Sequence, residues 1–193
     1  VQALVEALKV NTGLKNLKLN NNQIRYQGMC ALAEILKENT TLVELNLEYN
    51  RCAEVLAEVL KVNTSLTKLN LLGNDINVQG AQAFAKALEV NTGLKKINLK
   101  FNQIGSQGTL AIAEALKMNN TLVKINLWDI GIDDQGICAL VETLKVNTTL
   151  VGITFKYNQP DYDMFTSIKK KLNINYTNKL RLRCLQILCL EKL

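Results

Sequence analysis

Histidine is absent from this chain, and proline and tryptophan each occur once. Lack of histidine removes the commonest general base, the commonest metal ligand and the side chain that changes charge near neutral pH. Cysteine is sparse and irregularly spaced: Cys30, Cys52, Cys138, Cys184 and Cys189 are odd in number and form no Cys-x-x-Cys pair. That pattern argues against a zinc site and against a disulfide framework. It favours free thiols in a reducing compartment, so a cytoplasmic location is expected. No apolar run approaches the ~20 residues that span a bilayer, and no secretory signal pattern is visible. GxxxxGK[ST], GxSxG and any Cys–His pair are missing as well, which leaves neither P-loop nucleotide binding nor nucleophilic hydrolysis supported. The chain is therefore expected not to be an enzyme and to need no cofactor, metal or small-molecule substrate.

Aliphatic side chains and asparagine dominate what is present. Of 193 residues 48% are apolar and 21% charged, which is globular rather than disordered composition. The net charge of +6 favours acidic partners weakly and is too small to indicate nucleic acid by itself.

An internal repeat organises the chain. Asn11, Asn39, Asn63, Asn91, Asn119, Asn147 and Asn175 fall in one column, with steps of 28, 24, 28, 28, 28 and 28 residues. Leu14, Leu42, Leu66, Leu94, Leu122 and Leu150 form a second column, and Leu19, Leu47, Leu71, Leu99, Leu127 and Phe155 a third. Each unit reads as a short strand, a loop and a helix. In the first, Leu17 and Leu19 alternate with Asn16, Lys18 and Asn20 at strand period, and Leu32, Ile35 and Leu36 follow Gly28 at helical spacing. Asn39 ends that helix, where its tolerance of the left-handed conformation suits a terminus. The Asn-x-Ser/Thr triplets at Asn39, Asn63, Asn119, Asn147 and Asn175 are products of this junction rather than glycosylation signals. Single units cannot bury both their strand and helix leucines, but stacked units can. Helices are about twice as wide as the ~4.8 Å strand spacing, so the stack is expected to curve with strands on the concave side.

Stretches such as Leu42-Val-Glu-Leu-Asn-Leu-Glu-Tyr-Asn50 and Gly108-Thr-Leu-Ala-Ile-Ala-Glu-Ala-Leu116 resemble the ribonuclease-inhibitor class of leucine-rich repeats over roughly residues 1–175. The resemblance implies an α/β horseshoe solenoid with parallel strands on the concave face and helices on the convex face. The class includes ribonuclease inhibitor, the sensor domains of NOD-like receptors, the Ran GTPase-activating protein and the tropomodulin C-terminal domain. It implies a non-catalytic module that binds a partner protein through the concave face. The alternatives are a small-GTPase regulator and a tropomodulin-like actin-binding module. Against the former, the acidic tail of the Ran activator is missing.

Three departures stand out. The second unit is four residues short, at about 42–63, where Arg51-Cys52-Ala53-Glu54 replaces an Ile-x-x-x-Gly loop. This is either a harmless outer-loop deletion or a local kink. The fifth unit has Ile130 where Asn22, Asn50, Asn74, Asn102 and Asn158 stand in the others. Those asparagines are expected to satisfy buried backbone groups, and the loop beside Trp128 to be rearranged or looser without one. The sixth unit is degenerate, with Pro160, a basic helix over roughly 162–172 and, at 176–193, a segment that is strand-like and then apolar, expected to cap the core or, alternatively, to be an amphipathic segment for a partner or a membrane surface. Cys30 and Cys138 read as small buried hydrophobes, and Glu34, Glu58, Glu114 and Glu142 as solvated charges on the helices rather than an acid pair.

Polar positions between the strand leucines form four expected concave rows. They are Asn16, Glu44, Lys68, Lys96, Lys124 and Gly152; Lys18, Asn46, Asn70, Asn98, Asn126 and Thr154; Asn20, Glu48, Leu72, Lys100, Trp128 and Lys156; and Asn21, Tyr49, Gly73, Phe101, Asp129 and Tyr157. The second row is expected either to form an amide ladder or to offer hydrogen bonds to a ligand. Lysines on adjacent strands repel one another. Trp128, Phe101 and Tyr157 lie among Lys96, Lys100, Lys124 and Lys156 as exposed aromatics, and such residues are frequent binding anchors. These residues, with Asn98, Asn126 and Tyr49, are the candidate partner-binding set. The expected partner is a protein with an acidic or helical segment. Arginine is nearly absent from these rows, which disfavours nucleic acid.

Overall fold

A computed structural model describes residues 1–51, 53–155 and 158. The repeats fold as the spacing predicts. Six strands, β1 (Asn16–Lys18), β2 (Glu44–Asn46), β3 (Lys68–Asn70), β4 (Lys96–Asn98), β5 (Lys124–Asn126) and β6 (Gly152–Thr154), form one parallel sheet in sequence order. Between them run α1 (Gln2–Val10), α2 (Tyr26–Glu38), α3 (Leu56–Leu60), α4 (Val78–Val90), α5 (Gly105–Met118) and α6 (Asp134–Val146), with α3 preceded by a 3₁₀ turn at Ala53–Val55. Between sheet and helices lies one continuous apolar core, and the columns Leu42, Leu66, Leu94, Leu122 and Leu150 and Leu47, Leu71, Leu99 and Leu127 are all fully buried in it. Each repeat thus buries its own leucines only against its neighbours. The expected basic helix over 162–172 and the capping segment at 176–193 lie outside the described residues, as does Cys52.

Two asparagine columns hold the stack together. Asn63 donates from Nδ2 to Leu36 O at 2.6 Å and Asn39 O at 2.9 Å, and its Oδ1 accepts Leu66 N–H at 2.9 Å. Asn91, Asn119 and Asn147 repeat the arrangement. Each amide satisfies an orphan carbonyl at the end of the preceding helix and starts the next strand. The left-handed helix ending expected at Asn39 is not used: its backbone is extended, with φ −74° and ψ 117°. Asparagine is needed there for its side chain, not for its tolerance of positive φ. The same role explains why the Asn-x-Ser/Thr positions 39, 63, 119 and 147 are buried.

The second column lies after the strands. Asn102 donates to Leu71 O, Leu99 O and Lys100 O, and its Oδ1 accepts Asn74 N–H and Ile76 N–H at 3.1 and 2.9 Å. Asn50 and Asn158 bridge repeats in the same way. Each amide oxygen therefore organises the loop of the repeat before it. This corrects the expectation for Ile130. Its own loop stays regular, because Asn158 still receives Ile130 N–H at 2.8 Å and Ile132 N–H at 3.1 Å. The change falls one repeat earlier. Gln23, Arg51, Asp75 and Gly131 have positive φ, but in the loop facing Ile130 the positive φ moves from position 103 to Gly105. The helix α5, like α2, begins without a side-chain cap.

The outer helix charges are solvated, as expected. Glu34 pairs with Lys37, Glu58 with Lys61, Glu114 with Lys117 and Glu142 with Lys145, each three residues on. The thiols of Cys30 and Cys138 are free but only half-buried, less enclosed than their apolar surroundings in sequence suggest.

Candidate protein-binding face

The first two expected rows stand in register on the sheet. Lys68 pairs across strands with Lys96 and Lys96 with Lys124, while Asn70 pairs with Asn98 and Asn98 with Asn126. These rows line an open groove of about 520 Å³ that runs from Asn16 to Thr154. Lys68 forms an ion pair with Glu44. Lys96 and Lys124 are exposed and have no carboxylate within ion-pair distance among the described residues. The unpaired cations of the groove are thus Lys18 at its first strand and Lys96 and Lys124 at its fourth and fifth, with the paired Glu44 and Lys68 between them.

The asparagine row forms a partial ladder. Asn98 Nδ2 donates to Asn70 Oδ1 at 2.9 Å, and Asn70 donates in turn to the Glu48 carboxylate. The oxygens of Asn46, Asn98 and Asn126 accept the N–H two residues on, from Glu48, Lys100 and Trp128, and so shape the turn that leaves each strand.

The third and fourth rows are not strand positions. The strands are three residues long, so residues of these rows sit in the turn that follows. In the fourth row Asn21, Tyr49, Phe101 and Asp129 have φ between 51° and 58°, and Gly73 has φ 63°. The left-handed conformation disfavours L side chains, yet two of these positions carry large aromatics. A Cβ on Gly73 would lie 2.4 Å from the Tyr49 ring, so glycine there leaves room for that ring.

Trp128 is half-buried rather than exposed. Lys100 Nζ lies 3.6 Å from the centre of the Trp128 ring and 4.5 Å from that of Phe101. The expected basic-aromatic patch thus separates into two parts. Lys96, Lys124, Asn98 and Asn126 line the inner groove. Lys100, Trp128 and Phe101 form a cation–aromatic stack beside it, with Phe101 42% exposed. Tyr49 stands apart with Gly73, and Lys156 and Tyr157 lie outside the described residues. Sequence reasoning missed the stack because it depends on turn geometry. The adjacency of Lys100-Phe101 and the one-repeat step to Trp128 were its only sequence signal. No group of metal-ligating side chains occurs among the described residues, and none of their helices is long and apolar enough to cross a membrane.

The profile of the family described as "Leucine Rich repeat" matches residues 62–85 and 90–113, which cover repeats that β3, α4, β4 and α5 complete. Together with the six-fold strand–helix register this decides the class. The chain folds as a leucine-rich repeat solenoid. No curated protein sequence matches this leucine-rich repeat chain. Among solved structures it is similar to the tropomodulin C-terminal domain from Caenorhabditis elegans, with a TM-score of 0.56 and 15% identity over 96% of this chain and 98% of that one. It is also similar to leiomodin-1 actin-binding site 2, with a TM-score of 0.50 and 18% identity over 99% and 90% of the two chains. At these identities the likeness is one of fold.

Proposed function

We propose that this leucine-rich repeat chain is a non-catalytic module that binds the acidic segment of a partner protein along its inner groove. The observation that carries the reading is the pairing of Lys96 with Lys124 on adjacent strands. Like charges at this spacing cost a fraction of a kcal/mol, up to ~1, and the repeat framework does not require them, since the same row holds Asn16, Glu44 and Gly152. A carboxylate-rich segment lying across both strands relieves that repulsion. Asn98 and Asn126 offer amides beside the lysines. The Lys100–Trp128–Phe101 stack provides a rim that combines charge with apolar area, the composition of interface anchors. Tyr49 bounds the opposite end, and Lys156 and Tyr157, also in the expected partner-binding set, lie outside the described residues.

Actin is the second reading, favoured by the likeness to a leiomodin fragment whose own description is an actin-binding site. A titration of the purified chain with a glutamate-rich helical peptide, and separately with actin, tests both. The double variant Lys96→Glu/Lys124→Glu should weaken the peptide complex more than tenfold, with an association rate that no longer falls as salt rises. Equal binding by wild type and variant would remove the inner groove as the binding face.

A further inference from the structure

A second recess lies on the loop edge of the solenoid, apart from the inner groove. Its volume is about 820 Å³, and its walls include Arg25, Tyr26, Tyr49, Arg51, Asp75 and Phe101. Two residue types concentrate there. Arg25 and Arg51 are the only arginines among the described residues. Tyr26, Tyr49 and Phe101, at 58%, 47% and 42%, are the only exposed aromatic residues among them. Exposed aromatic faces beside guanidinium groups are the composition of interface anchors.

The spacing of the rings follows from the sheet. Tyr49 and Phe101 occupy equivalent turns of the second and fourth repeats, with φ 51° and 56°. Gly73 holds the turn between them, and its lack of a Cβ leaves room for the Tyr49 ring. The ladder of the sheet runs on through these turns. Tyr49 N–H donates to Leu72 O, Gly73 N–H to Lys100 O and Phe101 N–H to Trp128 O, at 2.9–3.0 Å. Two strand spacings, ~9.6 Å, therefore separate the two aromatic turns. A polyproline II helix advances ~9.3 Å in three residues. Prolines three residues apart, on a segment laid across the strands, thus match the two turns.

Charge decides what accompanies the prolines. Arg51 meets Asp75 at 3.4 Å, with both side chains more than half exposed. Arg25 is exposed and has no carboxylate partner among the described residues. Asp75 is the one carboxylate among the described wall residues. Lys100 adds a further cation, 4.5 Å from the centre of the Phe101 ring. The recess is therefore net cationic and favours an acidic segment over a basic one. Glu48 and Asp129 stand in neighbouring turns, so the edge lacks the continuous basic track that suits a nucleic-acid backbone.

We propose that this recess binds an extended, acidic, proline-containing segment of a partner protein. Prolines three residues apart lie on Tyr49 and Phe101, and a carboxylate meets Arg25. A polyproline II segment is preformed, so an aromatic-lined groove captures it at little ordering cost. The proposal does not rest on the function given above, because neither Lys96 nor Lys124 takes part.

The test is a titration of the full chain with a fluorescent peptide of three Pro-Pro-Glu units. Wild type should bind it. A peptide of three Gly-Gly-Glu units keeps the charge, one of three Pro-Pro-Lys units reverses it, and each should bind roughly tenfold more weakly. Tyr49→Gly places in this turn the residue that position 73 already carries, and Arg25→Glu is an exposed change. Each should weaken Pro-Pro-Glu binding several-fold and leave the unfolding midpoint near that of wild type. Lys96→Ala/Lys124→Ala should leave binding unchanged, which separates this site from the inner groove. Absence of binding to wild type up to ~1 mM peptide, equal affinity for the Gly-Gly-Glu peptide, or loss of binding in the lysine variant and not in the recess variants would overturn the proposal. So would tighter binding of an oligouridine than of the Pro-Pro-Glu peptide.

Discussion

At Phe101 an aromatic side chain occupies a left-handed turn position, φ 56°, that glycine fills at position 73. Relief of that backbone is worth about 1 kcal/mol, and loss of the cation–aromatic contact with Lys100 costs about 0.5–1 kcal/mol. Phe101→Gly should therefore leave stability within about 1 kcal/mol of wild type in urea unfolding. Leu99→Ala, two residues away and fully buried, should cost roughly 2–5 kcal/mol. If the proposed rim contributes to recognition, the glycine variant loses partner affinity without losing stability. A large fall in stability would instead make Phe101 a structural residue.

At the scale of an element, helix ends decide how firmly each repeat is held. The Asp133 side chain accepts Gly136 N–H at 3.0 Å and caps α6, while Asn77 caps α4 and α5 has no side-chain cap. The hydrogen bond with Ser106, followed by that from Gly136, holds the Asp133 carboxyl below its ordinary value of 3.8. A depressed folded value means that the ionised form is favoured by folding. Its stabilisation is present above the unfolded value and disappears as pH falls through the folded one. Asp133→Ala should cost about 1 kcal/mol near neutral pH. The difference from wild type should shrink as urea unfolding is repeated below the ordinary carboxylate range. A constant difference down to the acid limit would assign the loss to packing.

For the whole molecule, cohesion comes from neighbour-to-neighbour amide bridges as well as from the leucine core. The Asn102 side chain makes three bonds to the preceding repeat and two within its own, whereas Asn74 uses only its Nδ2. Asn102→Ala leaves several buried groups unpaired, at about 1–3 kcal/mol each, and should destabilise the solenoid more than Asn74→Ala does. Paired thermal or urea melts of the two variants measure this. Equal losses would mean that the amide oxygens contribute little to stacking.

Residue spacing alone determined the repeat, the leucine and asparagine columns, the parallel register and the lysine row, because each depends on periodicity that one chain displays directly. The turn after each strand was not legible, since a positive φ at Tyr49 or Phe101 leaves no mark in residue type. The Lys100–Trp128 stack follows from that turn and was hidden with it. The effects of Ile130 and of the shortened second repeat were displaced in the same way. The loops of the first, third and fifth repeats are organised by Asn50, Asn102 and Asn158 of the next repeat, so a change in one unit is felt in its neighbour, and only stacking the repeats in three dimensions decided where.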